Sequence, residues 1–175
     1  MDVYQILKSN DLIWSVQEAF VAFFILVAVS VISGCLWKKG RIKKSQAAAA
    51  VILVFFLLLV VTTTVFGRNP GNRRYELRLF WSYGEIFSGN TSILEEVLLN
   101  YILLLPGGVL LPIMCGKVLH WYHGLIFGFL ISSGIETLQL ITCRGLFEFD
   151  DIIHNSIGCM AGCVLCSVIL KNLKR

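Results

Sequence analysis

The stretch VILVFFLLLVV at residues 51–61 contains no polar side chain, and it lies at the centre of a longer apolar run, 47–66. A helix needs about 20 predominantly apolar residues to cross the hydrocarbon core of a bilayer. Within that core the backbone N–H and C=O groups find no water, so the chain must pair them within a helix. The run therefore predicts a transmembrane helix.

Four more apolar runs of similar length flank this one, at residues 16–37, 93–114, 121–141 and 152–170. The whole chain is 57% hydrophobic and 15% charged, whereas soluble domains are nearer half apolar and a quarter charged. We therefore expect an all-α, polytopic helical bundle with about five transmembrane helices, in which residues 1–66 form two helices and a basic loop. Residues 67–175 would form a second part with an outer loop and three helices.

The basic residues indicate an orientation rather than nucleic-acid binding, because they cluster in loops. Five lie between the first two predicted helices, and three end the chain. The positive-inside rule then predicts that the N-terminus is outside and the C-terminus is cytoplasmic. The two clusters are Lys38, Lys39, Arg41, Lys43 and Lys44, and then Lys171, Lys174 and Arg175.

Two motifs within the helices have a structural interpretation. Pro106-Gly107-Gly108 and Pro112 predict a kink or break in the third helix. Cys163 and Cys166 form a CxxC pattern, but no second ligand pair follows at a metal-binding spacing. We interpret the cysteines as small packing residues and expect no metal and no cofactor.

The intramembrane polar residues are the candidate functional residues, since such groups are costly in lipid. Glu136 and Gln139 share one face of the fourth helix through their i,i+3 spacing, and small residues recur every four positions before them. Three helices are expected to bring these groups to one layer of the outer leaflet. The layer comprises Asn100, Glu136, Gln139, Asp151 and Asn155.

Two interpretations of this layer remain open. Amides and acids in a bundle can simply hydrogen-bond one another and fix the helices together. Alternatively they bind a ligand, together with Arg78, Arg144 and Asp150 nearby, because arginines bind phosphates and carboxylates in a bidentate manner. A buried Glu136 must be protonated or paired, and Arg144 or Arg78 is the expected partner.

The three histidines carry weaker signals. We expect His120 and His123 to be interfacial residues on the inner side. His154 could serve as a general base, but its position next to Asn155 predicts a different helix face, so we expect a surface or lipid-facing histidine.

The chain resembles the VanZ family of bacterial membrane proteins between about residues 72 and 162. The first two helices agree with that family only in hydrophobicity. Departures are Leu79 in place of a usual proline, Gly107 in place of a frequent phenylalanine, and Cys143 in place of a common glycine. The resemblance rests on residues 78–83 (RLFWSY), Asn100 with 105–108 (LPGG), 135–140 (IETLQL), and Arg144 with 149–151 (FDD), His154, Asn155 and Gly158.

The resemblance implies a multi-pass protein of the bacterial plasma membrane and a cell-envelope context, including an effect on susceptibility to the glycopeptide teicoplanin. It implies no reaction. Our first hypothesis is a non-enzymatic protein whose polar layer binds a membrane lipid, a lipid-linked cell-wall precursor or a glycopeptide. The alternatives are an intramembrane enzyme that uses Glu136 or Asp151 as acid or base, and a small transporter or assembly partner.

Overall fold

The computed structural model describes residues 16–173, and most of them are helical. Five helical segments are long and apolar enough to cross a membrane, which confirms the predicted fold class. Residues 1–15, Lys174 and Arg175 lie outside the described residues. The helices are α1 (Val16–Lys38), α2 (Lys44–Val61), α3 (Trp81–Phe87), α4 (Thr91–Leu103), α5 (Leu105–Cys115), α6 (Trp121–Thr142) and α7 (Phe149–Asn172).

Helix α7 is the centre of the bundle. It packs against α4, α5 and α6, while α2 packs on α5 and α1 packs on α2. The membrane-spanning part of α7 is about half buried, whereas very little of that of α1 is buried. Within the described residues, the apolar side chains of α1 therefore face lipid.

Glycines make the contacts of α7 possible, as the small-residue pattern predicted. A Cβ atom at Gly128 on α6 would lie 2.7 Å from the Cβ of Cys159. A Cβ atom at Gly158 or Gly162 on α7 would overlap the carbonyl oxygens of Tyr101 and Leu105. Backbone therefore meets backbone at these crossings, and the free thiol of Cys159 fills the space opposite Gly128.

The third span is broken where the sequence predicted it. Helix α4 ends at Leu103, Leu104 has φ −99° and ψ 2°, and α5 begins at Leu105. Pro106 then lies in the first turn of α5, where its missing N–H has no intrahelical partner to lose. The break redirects the chain, so that α4 and α5 each contact α7.

The last turn of the second span, Thr62–Phe66, is a π-helix. Its closing hydrogen bond runs from Gly67 N to Thr62 O, at 2.7 Å. Single π-helical turns are uncommon and often occur at functional sites. This turn lies at the same end of the bundle as the polar residues of α6.

The segment between α2 and α4 folds over that end of the bundle. Strand β1 (Arg74–Glu76) pairs in parallel with strand β2 (Leu146–Glu148), with Tyr75 opposite Phe147. The short helix α3 follows, and the loop is closed by Gly71 N donating to Cys143 O at 2.8 Å. We call this end, formed by residues 62–92 and 142–151, the polar end.

Candidate functional site

Asp150 anchors helix α3 to the bundle. Its carboxylate accepts hydrogen bonds from Phe80 N at 2.5 Å, from Ser82 N at 3.1 Å and from Ser82 Oγ at 2.6 Å. A helix start has unpaired N–H groups, and here a distant carboxylate takes the place of a local N-cap. Of the predicted site residues, Asp150 is thus already occupied by backbone and side-chain donors at the start of α3.

Asp151 lies one residue further along α7 and is half-buried. Its Oδ1 accepts a hydrogen bond of 2.6 Å from Asn100 Nδ2 on α4. Its backbone carbonyl contacts Ser132 Oγ on α6 at 3.5 Å. Three helices therefore meet at Asp151, as the sequence predicted.

Glu136 is 2% exposed, and its partner is not an arginine. Its Oε2 accepts a hydrogen bond of 3.0 Å from the backbone N–H of Glu148, where β2 leads into α7. The expected pairing with Arg144 or Arg78 is wrong. Arg78 instead forms a bidentate ion pair with Glu76, two residues away, which lowers the pKa of Glu76 to about 2.

Arg144 and Gln139 bind the π-helical turn instead. Arg144 Nη1 donates to Phe66 O at 2.8 Å, and Gln139 Nε2 donates to Thr64 O at 3.2 Å. Carbonyl groups at a helix end have no intrahelical partner. One side chain on α6 and one just after it therefore hold the end of the second span. The sequence does not reveal these contacts, because the two segments are far apart in the chain.

Asn155 lies one turn deeper than Asp151 and is 2% exposed. Its Nδ2 donates to Ser132 Oγ at 2.9 Å, and Ser132 in turn lies one turn before Glu136. The Oδ1 of Asn155 is buried without a hydrogen-bond partner among residues 16–173. Asn155 and Ser132 therefore form the floor of the polar layer. Ser132, one of the small residues that recur every four positions before Glu136, therefore belongs to this layer.

His154 is 1% exposed, so the prediction of a surface or lipid-facing histidine is wrong. Its Nε2 lies 3.2 Å from Tyr83 Oη, and Tyr83 Oη lies 2.9 Å from Tyr101 Oη. The hydrogen bond to Tyr101 and burial raise the pKa of Tyr83 to about 12. Helix α3 covers the face of α7 that carries His154, a tertiary contact that the sequence pattern of α7 does not reveal.

Glu148 belongs to the layer, although the sequence pattern does not predict it as a site residue. It is 5% exposed, and the Trp81 side chain lies beside its carboxyl group, although neither Glu148 Oε1 nor Trp81 Nε1 makes a well-aligned hydrogen bond within the described part of the chain. Burial, with the Asp151 and Glu96 carboxylates nearby, raises its pKa to about 8. Its side chain therefore carries a proton at neutral pH. Its place in the sequence, between Arg144 and the two aspartates, is the signal that could have identified it.

Arg68 is the second site residue that the sequence pattern does not predict. Its guanidinium interacts electrostatically with both Glu136 and Asp151. Its Nη1 and Gln139 Oε1 both lie within about 3.1 Å of the position that a Cβ of Gly145 would take. The side chain is exposed and makes no hydrogen bond or ion pair with any residue that the structure describes. Arg68 therefore lies at the mouth of the layer.

Charged and polar groups from four helices and two loops converge at this end. No three His, Cys, Asp or Glu side chains among residues 16–173 lie in a metal-binding arrangement. The site is instead a hydrogen-bonded network with acids inside and arginines at the surface. Such a fold and network define a multi-pass membrane protein with one polar end.

A family model described as VanZ/LLP1 matches residues 46–171. Because this range is most of the chain, the protein belongs to the VanZ/LLP1 family. The matched range includes α2, so it extends beyond the resemblance at residues 72–162. Searches of curated proteins and of solved structures found no match.

Proposed function

We propose that this VanZ/LLP1 protein binds a lipid-linked or otherwise anionic molecule of the bacterial cell envelope at its polar end. The observation that carries the proposal is the exposed guanidinium of Arg68, which lies above a layer of buried polar groups. A guanidinium binds phosphate or carboxylate oxygens through two parallel hydrogen bonds. A ligand anion would occupy donors that the described residues leave free.

The surrounding surface supports an anionic ligand. Arg73 and Arg74 are also exposed on the segment after the π-helical turn. Large apolar side chains are exposed close by, with Leu77, Leu79 and Phe80 each more than half exposed. Cationic groups beside apolar side chains suit a molecule that has a charged headgroup and a lipid tail.

The selected site residues take two roles in this proposal. Arg68 and the arginines of the adjoining segment contact the ligand, while Asn100, Glu136, Gln139, Asp151 and Asn155 hold the helices that surround it. Arg144 and Asp150 keep the π-helical turn and α3 in place. Arg78 contributes least, because Glu76 already neutralises it.

The test is binding of a polyprenyl phosphate to the full chain in detergent, measured by native mass spectrometry. Arg68→Gln should weaken binding about tenfold, the effect of losing roughly 1.4 kcal/mol of charge-assisted hydrogen bonding. Arg41→Gln is the matched control, because Arg41 is an exposed arginine at the opposite end of the bundle. Equal binding by both variants would refute the proposal.

A change in teicoplanin susceptibility is the expected cellular consequence. A protein that holds an envelope lipid or a precursor alters how the glycopeptide reaches its target. Cells that express the wild type should differ in susceptibility from cells that express Arg68→Gln at equal protein levels. Identical susceptibility of the two strains would show that ligand binding at Arg68 does not affect teicoplanin resistance.

A second candidate is an intramembrane enzyme acting on a lipid-linked substrate, in which Glu136 or Asp151 acts as acid or base. The observation that favours it is Glu148, a buried carboxyl group that is protonated at neutral pH and could donate that proton. Product release from polyprenyl-linked substrates by the wild type, and its loss in Glu148→Gln with binding retained, would support this candidate over simple binding.

A further inference from the structure

The end of the bundle opposite the polar end carries cations and no acids. We call it the basic end, and it is formed by residues 38–46, 115–123 and 167–173. None of these residues is Asp or Glu, and the cations among them are Lys117, Lys171 and the five basic residues at 38–44. A surface with charge of one sign attracts the opposite sign. The basic end therefore favours an anionic partner.

The loops of the basic end are held in a fixed arrangement. Helix α5 ends at Gly116, whose φ of 66° turns the chain so that Lys117 leaves the helix. Gln46, near the start of α2, donates from Nε2 to Met114 O at 3.2 Å, and its Oε1 accepts the N–H of Lys43 at 2.9 Å. The start of α2 therefore adjoins the end of α5, which adds the positive charge of Lys43 to that of Lys117.

An apolar groove of about 340 Å³ opens beside Lys117, between α5 and α6. Leu111 and Leu119 line it, and both are buried in the core of this end. Leu119 is fixed in place because its N–H donates to Ser167 Oγ on α7 at 3.1 Å. The groove is therefore a shaped part of the fold, formed on a packed core.

One wall of the groove is a stripe along α6. Tyr122, Ile126 and Leu130 line it at intervals of four residues, so they lie on one face of the helix. The stripe is about 12 Å long at 1.5 Å per residue, and it runs from the start of α6 towards the middle of the membrane. Tyr122 is exposed at the start of the stripe, and aromatic side chains favour the headgroup region. The groove therefore begins at headgroup depth and continues among hydrocarbon chains.

Lys117 supplies the charge of the groove. Its side chain lines the groove and is exposed, and its ammonium makes no hydrogen bond or ion pair with any residue from 16 to 173. Basic groups between membrane helices suit anionic lipid headgroups. An ammonium beside an apolar groove therefore matches a molecule that has both an anionic headgroup and an acyl chain.

We propose that this groove is a binding site for an anionic phospholipid, separate from the site at the polar end. The phosphate binds the ammonium of Lys117, and one acyl chain lies along the stripe of α6. The inference is independent of the proposed function. The alternative is a general attraction between basic loops and anionic headgroups, which requires neither the groove nor any particular lysine.

The test compares dioleoyl phosphatidylglycerol with dioleoyl phosphatidylcholine for binding to the full-length wild type in detergent, by native mass spectrometry. We expect phosphatidylglycerol to bind about tenfold more tightly, because its headgroup has a net negative charge. Lys117→Gln should remove this advantage. Lys39→Gln should keep it, because Lys39 is also an exposed lysine of the basic end but does not line the groove. Equal binding of the two lipids, or equal effects of the two variants, would overturn the proposal.

A second pair of variants tests the groove without changing the charge. Ile126→Trp should fill the groove and weaken phosphatidylglycerol binding several-fold. Phe129→Trp should leave binding unchanged, because Phe129 is on the same helix but does not line the groove. Both positions are more than half exposed, so circular dichroism should show an unchanged fold. Unchanged binding by Ile126→Trp would overturn the proposal, since charge alone would then account for the lipid.

The outcomes for the two sites are distinguishable. If phosphatidylglycerol binding depends on Lys117 and Ile126 while polyprenyl phosphate does not bind the wild type, this inference is supported and the proposed function fails. If polyprenyl phosphate binding depends on Arg68 while phosphatidylglycerol binding does not depend on Lys117, the groove proposal is overturned and the polar-end site remains.

Discussion

The carboxylate of Glu136 holds the chain where β2 leads into α7. Its Oε2 accepts the backbone N–H of Glu148, and both residues are buried. A buried N–H that loses its acceptor costs about 1–3 kcal/mol. Glu136 is therefore a structural requirement of the polar end, whatever ligand binds there.

Two substitutions of Glu136 should show whether the protein needs its hydrogen-bond acceptor or its charge. Glu136→Leu should lower the free energy of unfolding by about 1–3 kcal/mol, because the Glu148 N–H loses its acceptor. Glu136→Gln keeps an acceptor oxygen and should stay close to the wild type. Thermal unfolding in detergent measures both, with the exposed Glu95→Leu as the control. Equal stability of the Leu and Gln variants would contradict the observed hydrogen bond.

Glu148 should make stability depend on pH. Burial raises its pKa to about 8 in the fold, above the ordinary value of 4.5, so the folded state retains the proton longer than the unfolded state. Its stabilising contribution is complete below about pH 4.5 and is lost as the pH rises towards 8. The wild type should therefore lose up to about 1.4 kcal/mol per pH unit between pH 6 and 8 relative to Glu148→Gln. Unfolding curves with the same pH dependence in both proteins would contradict this.

Helices α6 and α7 approach each other through glycine. Gly128→Leu should destabilise the protein by about 1–3 kcal/mol or more, because its Cβ would lie 2.7 Å from the Cβ of Cys159 and 2.9 Å from the Cα of Ser156. Gly134→Leu on the same helix is the matched control, since nothing lies within 4 Å of its Cβ position. It should be neutral or stabilising by up to about 1 kcal/mol. Thermal denaturation and expression level measure both, and equal effects would show that this crossing is loose.

The sequence predicts these helices more reliably than the segments that join them. Five long apolar runs, the break at Leu104 and the glycine contacts follow from hydropathy, proline chemistry and residue size. His154 was misassigned because its surroundings come from α3, which is some 70 residues away in the chain. The partners of Glu136 and Arg144 were misassigned because they are backbone groups, and a backbone group has no signature in the sequence.

The backbone conformation at Cys143 explains why glycine is common at this position in the VanZ family. Cys143 has φ 56°, in the left-handed region where glycine is favoured, at the end of α6. A side chain at such a position is strained. The usual glycine of that family therefore has a conformational reason, although the sequence alone presented the difference only as a substitution.

For the molecule as a whole, the orientation in the membrane stays a prediction from charge. Single cysteines on a cysteine-free background should test it in intact cells. A cysteine at position 72 should be labelled by a membrane-impermeant reagent without permeabilisation, whereas one at position 41 should require it, because both sites are exposed at opposite ends. Cysteines at 136 and 155 should react slowly from either side, since both positions are buried. If only the cysteine at position 41 is labelled without permeabilisation, the orientation is the reverse of the predicted one.

The parallel pairing of β1 with β2 has a consequence for the order of assembly. The pair joins the segment before α3 to the segment after α6, so it closes only after the fourth span is in place. Asp150 and Asp151, which complete the layer, begin the last helix. A nascent chain released before α7 would therefore present arginines at the surface with an incomplete layer beneath them. Contacts between distant segments form late in folding, so the binding site would mature only when the final helix inserts.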